Sequence, residues 1–332
     1  MKKTLGLFAA SALVLALSAC SGGAAPAATG GAAGAPNKAI GEIVVGFAQV
    51  GAESGWRTAN TKDIQDSFKE AGIQLKFSDA QQKQENQIKA IRSYIQQSVD
   101  YIAFSPVVQT GWDAVLNEAK AANIPVVLTD RAVDSKDTSL YVTFLGSDFV
   151  LEGKKAGEWL VKEYEGKTDA VNIVQLEGTT GSAPAIDRAT GFADAIKAST
   201  NMKVVASQTG DFTRAGGKQV MEAMLKSQPK IDVVYAHNDD MGLGAIEAIE
   251  AAGKVPGKDI KIITVDAVKD GMTALSEGKI NFIVECSPLL GKQLIDIVKK
   301  LNAGEAVEKR IVTEETTFTQ EQAKEALPNR KY

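Results

Sequence analysis

From Glu42 onward the sequence alternates short β-branched runs with amphipathic helical stretches, and few architectures satisfy that rhythm. "EIVVGFAQV" leads into "WRTANTKDIQDSFKEAG", then "IQLKFSD", "QENQIKAIRSYIQQS", "DYIAFSP", "WDAVLNEAKAAN" and "IPVVLTD". Short apolar runs read as strands, and apolar residues spaced along one helical face read as helices. Strands such as 126–128 have no polar face, so their sheet is covered on both sides, the condition of a parallel sheet flanked by helices. After "VTFLGSD" a second series of the same kind begins, with helices at "VLEGKKAGEWLVKEY", "PAIDRATGFADAIKAS", "AGGKQVMEAMLKS" and "MGLGAIEAIEAAG" between strands at "AVNIVQLEG", "KVVASQTGD", "VVYAHND" and "IKIITVD". The predicted class is α/β, in two lobes of like architecture, because the chain after Ile40 exceeds what one compact core usually fills. "INFIVECSP", a helix at "LLGKQLIDIVKKLNAG" and one strand-like run, "KRIVTEETTF", must add to these sheets.

The N-terminus belongs to export. Lys2 and Lys3 precede an apolar run over residues 5–17 that closes in small residues, the pattern of a signal peptide. "LSAC" resembles the bacterial lipoprotein lipobox, which makes residues 1–19 the signal and Cys20 the lipidated first residue. Residues 21–36 are almost wholly Gly, Ala, Ser, Thr and Pro, which bury too little to fold, so 20–39 reads as lipidated cysteine plus flexible linker. The expected location is outside the cytoplasm, anchored to a membrane through Cys20 at the cell surface or in the periplasm.

Composition removes several functions. Without Lys2 and Lys3, the 37 basic residues fall short of the 41 acidic ones and leave a net charge of −6, a poor basis for nucleic-acid binding. Beyond the lipidated Cys20, Cys286 is the one cysteine left and His237 the one histidine, so neither a disulfide nor a His/Cys metal site is expected. No nucleophile elbow surrounds a serine, and no phosphate or dinucleotide loop follows a strand. "GTTGSAPAIDR" is rich in small residues without the lysine or spacing of a phosphate loop; those residues are expected to let backbone approach a bound molecule. No cofactor is expected.

Polar residues stand where the strands end: Gln49, Asp79, Pro106, Asp130, Glu177, Asp211, Asn238 and Asp266. Ligands of open parallel sheets bind beyond those ends, although about half of such residues are expected to be caps or turn formers. Asp130 and Arg131 in "LTDRAV" offer an acceptor and a donor fork side by side, which suits hydroxyls that both give and take hydrogen bonds. Trp56 in "ESGWR" and Phe212 in "GDFTR" stand at loop-to-helix junctions, where rings can stack on the C–H face of a sugar.

With these residues in view, the chain from Ile40 resembles the sugar-binding proteins of ABC importers, in the ribose and galactose class of periplasmic binding proteins. "VGFAQVGAESGWRTAN", "SPVVQTGW", "AIDRATGFADAI", "SQTGDFTR" and "VYAHNDDMGLGAI" resemble its galactofuranose-binding branch most. The resemblance implies a type I periplasmic binding fold: two Rossmann-like lobes, 40–145 with 288–316 and 146–287 with 317–332, joined by three crossings that hinge around a monosaccharide. It implies sugar contacts from Glu53, Ser54, Gly55, Trp56, Arg57, Asp130 and Arg131, and from Arg188, Phe212, Asn238 and Asp266. Gln49, Glu285 and Cys286 are weaker candidates; Cys286 falls where ribose-type relatives often carry a glutamine, and a thiol lacks an amide's two-sided bonding. The implied partners are a monosaccharide and the permease, with the protein a monomer and not an enzyme. A sugar-sensing receptor subunit is the alternative. A glycosidase using Glu53 with Asp130 or Asp266 is disfavoured, because neighbouring arginines are expected to depress those carboxyls and remove the general acid. A DNA-binding repressor of the same fold is excluded, since the export signal stands where its helix-turn-helix would be.

Overall fold

A computed structural model describes residues 37–332; Cys20, the signal segment and the linker to residue 36 lie outside the described residues. The first series is β1 (Val44–Gln49), α1 (Gly55–Ala71), β2 (Gln74–Asp79), α2 (Gln84–Gln96), β3 (Tyr101–Phe104), α3 (Asp113–Ala121), β4 (Val126–Thr129) and β5 (Thr143–Gly146). The second is α4 (Phe149–Glu163), β6 (Val171–Glu177), α5 (Ala183–Ile196), β7 (Met202–Thr209), α6 (Arg214–Ser227), β8 (Val233–Ala236), α7 (Asp239–Ala251), β9 (Lys261–Asp266), α8 (Lys269–Ser276) and β10 (Phe282–Glu285). The chain ends with α9 (Gly291–Asn302), β11 (Arg310–Val312), β12 (Thr317–Phe318) and α10 (Gln320–Ala326).

Two six-stranded sheets result, in the orders β11-β5-β4-β3-β1-β2 and β12-β10-β9-β8-β6-β7. Their pairings are parallel apart from β10 with β12. Each sheet is buried on both faces. Val45 and Phe47 of β1 pack with Ile64 and Phe68 of α1 and with Leu294 and Val298 of α9, while Ala48, Ile102 and Phe104 meet Ile91 of α2 and Leu116 of α3 on the other face. In the second sheet Ile173 packs with Leu160 of α4 and Phe192 of α5, and Val174 and Leu176 with Val220, Ile249 and Met272 of α6, α7 and α8. Burying each such side chain contributes about 1.5–3 kcal/mol, which is why apolar strands and one-faced helices assemble in this layered way.

The chain passes between the sheets at residues 147–148, 286–290 and 313–316. The last passage divides the strand-like run "KRIVTEETTF": β11 pairs with β5, and β12 with β10 in the other sheet. The polar side chains between them explain the break, since Thr313 and Glu315 bond within the passage (Thr313 Oγ1 to Glu315 Oε1, 2.9 Å). Helix α9 starts at Gly291, two residues later than the apolar pattern suggests. Gly291 N donates to Asp63 Oδ2 at 2.7 Å, and a Cβ at Gly291 would stand 2.4 Å from Ser67 Oγ, so only glycine allows this close approach to α1.

Candidate functional site

The carboxyl ends of the two sheets face one another across a cavity lined by Glu53, Ser54, Trp56, Arg57, Asp130, Arg131, Pro184, Arg188, Phe212, Asn238, Asp266 and Cys286. Each lining side chain has a local reason to be there. Ser54 caps α1, accepting from Arg57 N at 3.1 Å, which places Trp56 and Arg57 in a first turn that faces inward. Asp130 leaves β4 in the left-handed region (φ 61°) with its N donating to Leu145 O at 2.8 Å. Phe212 (φ 62°) and Asp266 (φ 117°) are also left-handed, and such strain, of order 1–3 kcal/mol per residue, concentrates at functional sites. Pro184 and Arg188 come from the first turns of α5, Asn238 caps α7 by accepting from Met241 N at 3.0 Å, and Cys286 follows β10.

On the side of the first sheet, Arg57 is held by Asp130 Oδ2 at 2.6 Å and Glu53 Oε1 at 3.0 Å. Arg131 lies farther from both, 3.7 Å from Asp130 and 3.6 Å from Glu53, and donates to Val107 O at 3.2 Å. Its Nε, like Glu53 Oε2, is buried with no partner in the protein. Arg131 also lies 5.2 Å from the centre of the Phe212 ring, a cation–π contact that joins the two sides of the cavity. Opposite, Arg188 donates to Glu152 Oε2 at 2.7 Å and to His237 O at 2.5 Å, with Asp266 3.8 Å away.

Burial alone would raise the Asp130 carboxyl, but Arg57 and Arg131 outweigh it and hold it below the usual range, an ionised pure acceptor. Burial and the neighbouring Arg57 lower Arg131 to about 10, which leaves it cationic at neutral pH. Asp266 corrects an expectation: burial pushes its carboxyl well up, Arg188 opposing and Asp239 reinforcing, so it is a neutral group able to donate as well as accept. His237 is fully buried against Tyr235, and desolvation holds it neutral.

Three candidates stand outside the lining. Gln49 spends its amide on Asn60 (2.9 Å), Thr61 (3.1 Å), Val50 N (2.9 Å) and Arg57 (3.2 Å), so it supports Arg57 from behind. Gly55 gives its N–H to Asp240 Oδ2 at 2.7 Å. Glu285 is turned to the C-terminus, 2.7 Å from Arg330 and 3.0 Å from the Tyr332 hydroxyl. Cys286 does line the cavity; burial raises its thiol well above the ordinary value, and it stays neutral beside Ser147 Oγ at 3.3 Å. Among the strand-end residues Asn238 alone caps a helix, and Asp79 closes a turn by accepting from Gln81 N at 2.7 Å. Sequence reasoning missed Pro184, whose first-turn position in α5 was the available signal. It also misread Gly178 in "EGTTGS": a Cβ there would fall 1.8 Å from Phe212 Cζ, so the small residue makes room for the aromatic ring.

Two α/β lobes with parallel sheets, meeting around one buried polar cavity at their strand ends, define a two-lobed ligand-binding protein. Residues 45–306 match the periplasmic binding protein domain, and the chain belongs to that family. It is 50% identical to the galactofuranose-binding protein YtfQ of Escherichia coli K12 over 87% of this chain and 92% of that one. A solved structure from Mycobacterium smegmatis in complex with β-D-fucofuranose is 66% identical, with a TM-score of 0.86 over 87% of this chain and 95% of that one. The periplasmic binding component of the arabinose ABC transporter of Shewanella sp. ANA-3, bound to α- and β-L-arabinofuranose, is 49% identical, with a TM-score of 0.84 over 87% and 96% of the two chains.

Proposed function

We propose that this protein is the substrate-binding subunit of an ABC sugar importer, that it takes a monosaccharide in furanose form between its lobes, and that it delivers the sugar unchanged to a permease. The observation that carries the reading is the cavity itself. Arg57, Arg131, Asp130 and Glu53 form a charge-balanced set on one side, while Arg188, Asn238 and neutral Asp266 oppose them from the other. Such a set offers both donors and acceptors to the hydroxyls of a neutral polyol. The furanose names of the three relatives support the ring form.

In this reading the sugar contacts come from Glu53, Ser54, Trp56, Arg57, Asp130 and Arg131 of one lobe and from Arg188, Phe212, Asn238 and Asp266 of the other, with Pro184 and Cys286 completing the wall. The lobes are 40–145 with 288–316 and 146–287 with 317–332, and closure about their three connections traps the ligand. Asp130 and Arg131 are only 5% and 3% exposed, as a closed arrangement requires. Cys20 carries the lipid that anchors a monomer to the membrane through the linker.

Calorimetric titration with ring-locked methyl furanosides and pyranosides of galactose, fucose and arabinose tests the assignment, with the free sugars in parallel. Saturable binding that favours furanosides is the expected result. Flat titrations across the panel refute sugar binding, and a pyranoside preference refutes the ring form.

A further inference from the structure

Behind the cavity lies a cluster built around a buried acid that the function above does not use. Glu152, in the first turn of α4, is 1% exposed; its Oε2 accepts from Arg188, while its Oε1 has no partner. Glu152, Cys286 and Glu315 each bring an oxygen or sulfur atom within 4.8 Å of the others. Glu315 Oε1 accepts from Ser147 Oγ at 2.5 Å, Ser287 N at 3.0 Å and Thr313 Oγ1 at 2.9 Å. Those donors belong to the first, second and third passages between the sheets, so one carboxylate ties all three connections together.

A buried carboxyl beside a second, half-buried one is disfavoured as a full charge, and a buried carboxylate oxygen without a donor is costly. A single proton removes both penalties. Neutral Glu152 donates through Oε1 to Glu315 and still accepts from Arg188 at Oε2.

We propose that Glu152 is a positioning residue for ligand binding that works in its neutral form: its proton, held against Glu315, joins the pocket arginine Arg188 to the three-stranded hinge and makes closure depend on that proton. The proposal rests on the binding function given above. The surroundings favour a proton over a metal cation at this place. Arg188 of α5 already occupies one carboxyl oxygen, Lys155 Nζ donates to Glu315 O at 3.1 Å, and Arg310 of β11 donates to Ser147 O at 2.6 Å. The remaining groups that face the cluster are Cys286, Tyr235 and Asp266, and burial raises all three, which keeps them neutral. Burial likewise raises Glu152 to about 8, with Arg188 opposing and Glu315 adding to the rise.

The test uses Glu152→Gln, whose amide keeps the acceptor for Arg188 and supplies a permanent donor to Glu315. Affinity for D-galactose, with its furanose form present at equilibrium, is measured by calorimetry from about pH 6 to about pH 9.5. Wild-type affinity is expected to hold to about pH 8 and then fall by up to about tenfold per pH unit, the limit for one linked proton. Glu152→Gln should match wild type at neutral pH and lose the alkaline fall, whereas Glu152→Ala should bind weakly throughout. A second readout needs no ligand: the infrared band of a neutral carboxylic acid at neutral pH should be weaker in Glu152→Gln than in wild type. An alkaline fall that persists in Glu152→Gln, a flat wild-type profile, identical infrared spectra, or neutral-pH affinity that changes with a chelator each overturns the proposal. Absence of any sugar binding by the wild type refutes the importer reading instead, and the infrared comparison still decides the state of Glu152.

Discussion

Arg131 differs from Arg57 in what its neighbours leave over. Arg57 bonds Asp130, Glu53 and Gln49, so besides lining the cavity it holds the acids in place. Arg131 keeps a buried Nε without a protein partner. Each charge-assisted hydrogen bond that it would give a sugar in the proposed site is worth about 1.5–3 kcal/mol, or roughly a ten- to 150-fold change in affinity. Arg131→Ala is therefore expected to take binding out of the calorimetric range while circular dichroism shows an intact fold. Arg131→Lys should also bind poorly, because a point charge cannot replace the planar fork; normal binding by either variant would show that the cavity is not the sugar site. Gly178→Ala makes a different demand, since its Cβ would meet the Phe212 ring at 1.8 Å. The ring has to move, so a marked loss of sugar affinity is expected with only a modest change in melting temperature. The sequence announced Arg131, an arginine closing an apolar strand, but it pointed Gly178 toward a bound molecule, because the ring it makes room for stands 34 positions further on and meets it only after folding.

At the level of elements, helix termini do much of the work between the lobes. The N-terminus of α1 is capped twice, by Ser54 of its own chain segment and by Asp240 from the first turn of α7 in the other lobe, whose Oδ2 accepts from Gly55 N at 2.7 Å. A carboxylate at a helix N-terminus gains from the dipole as well as from the hydrogen bond. If the lobes open as proposed, this contact has to break, so it is expected to slow opening. Asp240→Ala is expected to release sugar roughly tenfold faster with little change in association, consistent with the loss of one charge-assisted bond. Stopped-flow kinetics resolves the two rates, and an unchanged dissociation rate would show that Asp240 is not a latch. Gln109 N donates to Gly181 O at 2.9 Å on another part of the rim, a second contact between loops that leave different sheets.

For the whole molecule the buried acids set a pH dependence. Burial raises Glu152 to about 8 and Asp239 to about 7, and raises Asp266 well above the ordinary carboxyl range. Between the ordinary carboxyl range and these values the folded state binds more protons than the unfolded one, so the stability these groups confer at low pH is lost as pH rises. Asp130 has the opposite sign, but its contribution changes only below the ordinary carboxyl range; buried neutral His237 also has it and adds stability as pH rises toward the ordinary histidine value, one group against three acids. The melting temperature is accordingly expected to decline from about pH 5 to about pH 8. Calorimetric scans that show it rising across that interval would mean these acids are ionised in the fold. Sugar binding should also reduce the radius of gyration in small-angle scattering, because closure draws the two lobes over the ligand; a radius unchanged by a saturating sugar would rule out hinge closure.

The sequence by itself determined the layered α/β architecture, the repetition of the pattern in two series, and most of the polar residues at the strand ends. Those properties follow from apolar periodicity and capping, which depend on neighbours a few positions away. Tertiary structure decided the split of "KRIVTEETTF" between two sheets, the diversion of Glu285 to Arg330 and Gln49 to Arg57, and the elevation of Asp266 despite Arg188. It also decided the gathering of Ser147, Ser287 and Thr313 on Glu315. Each of these depends on burial or on a partner brought close by the assembled lobes, and no local pattern encodes either.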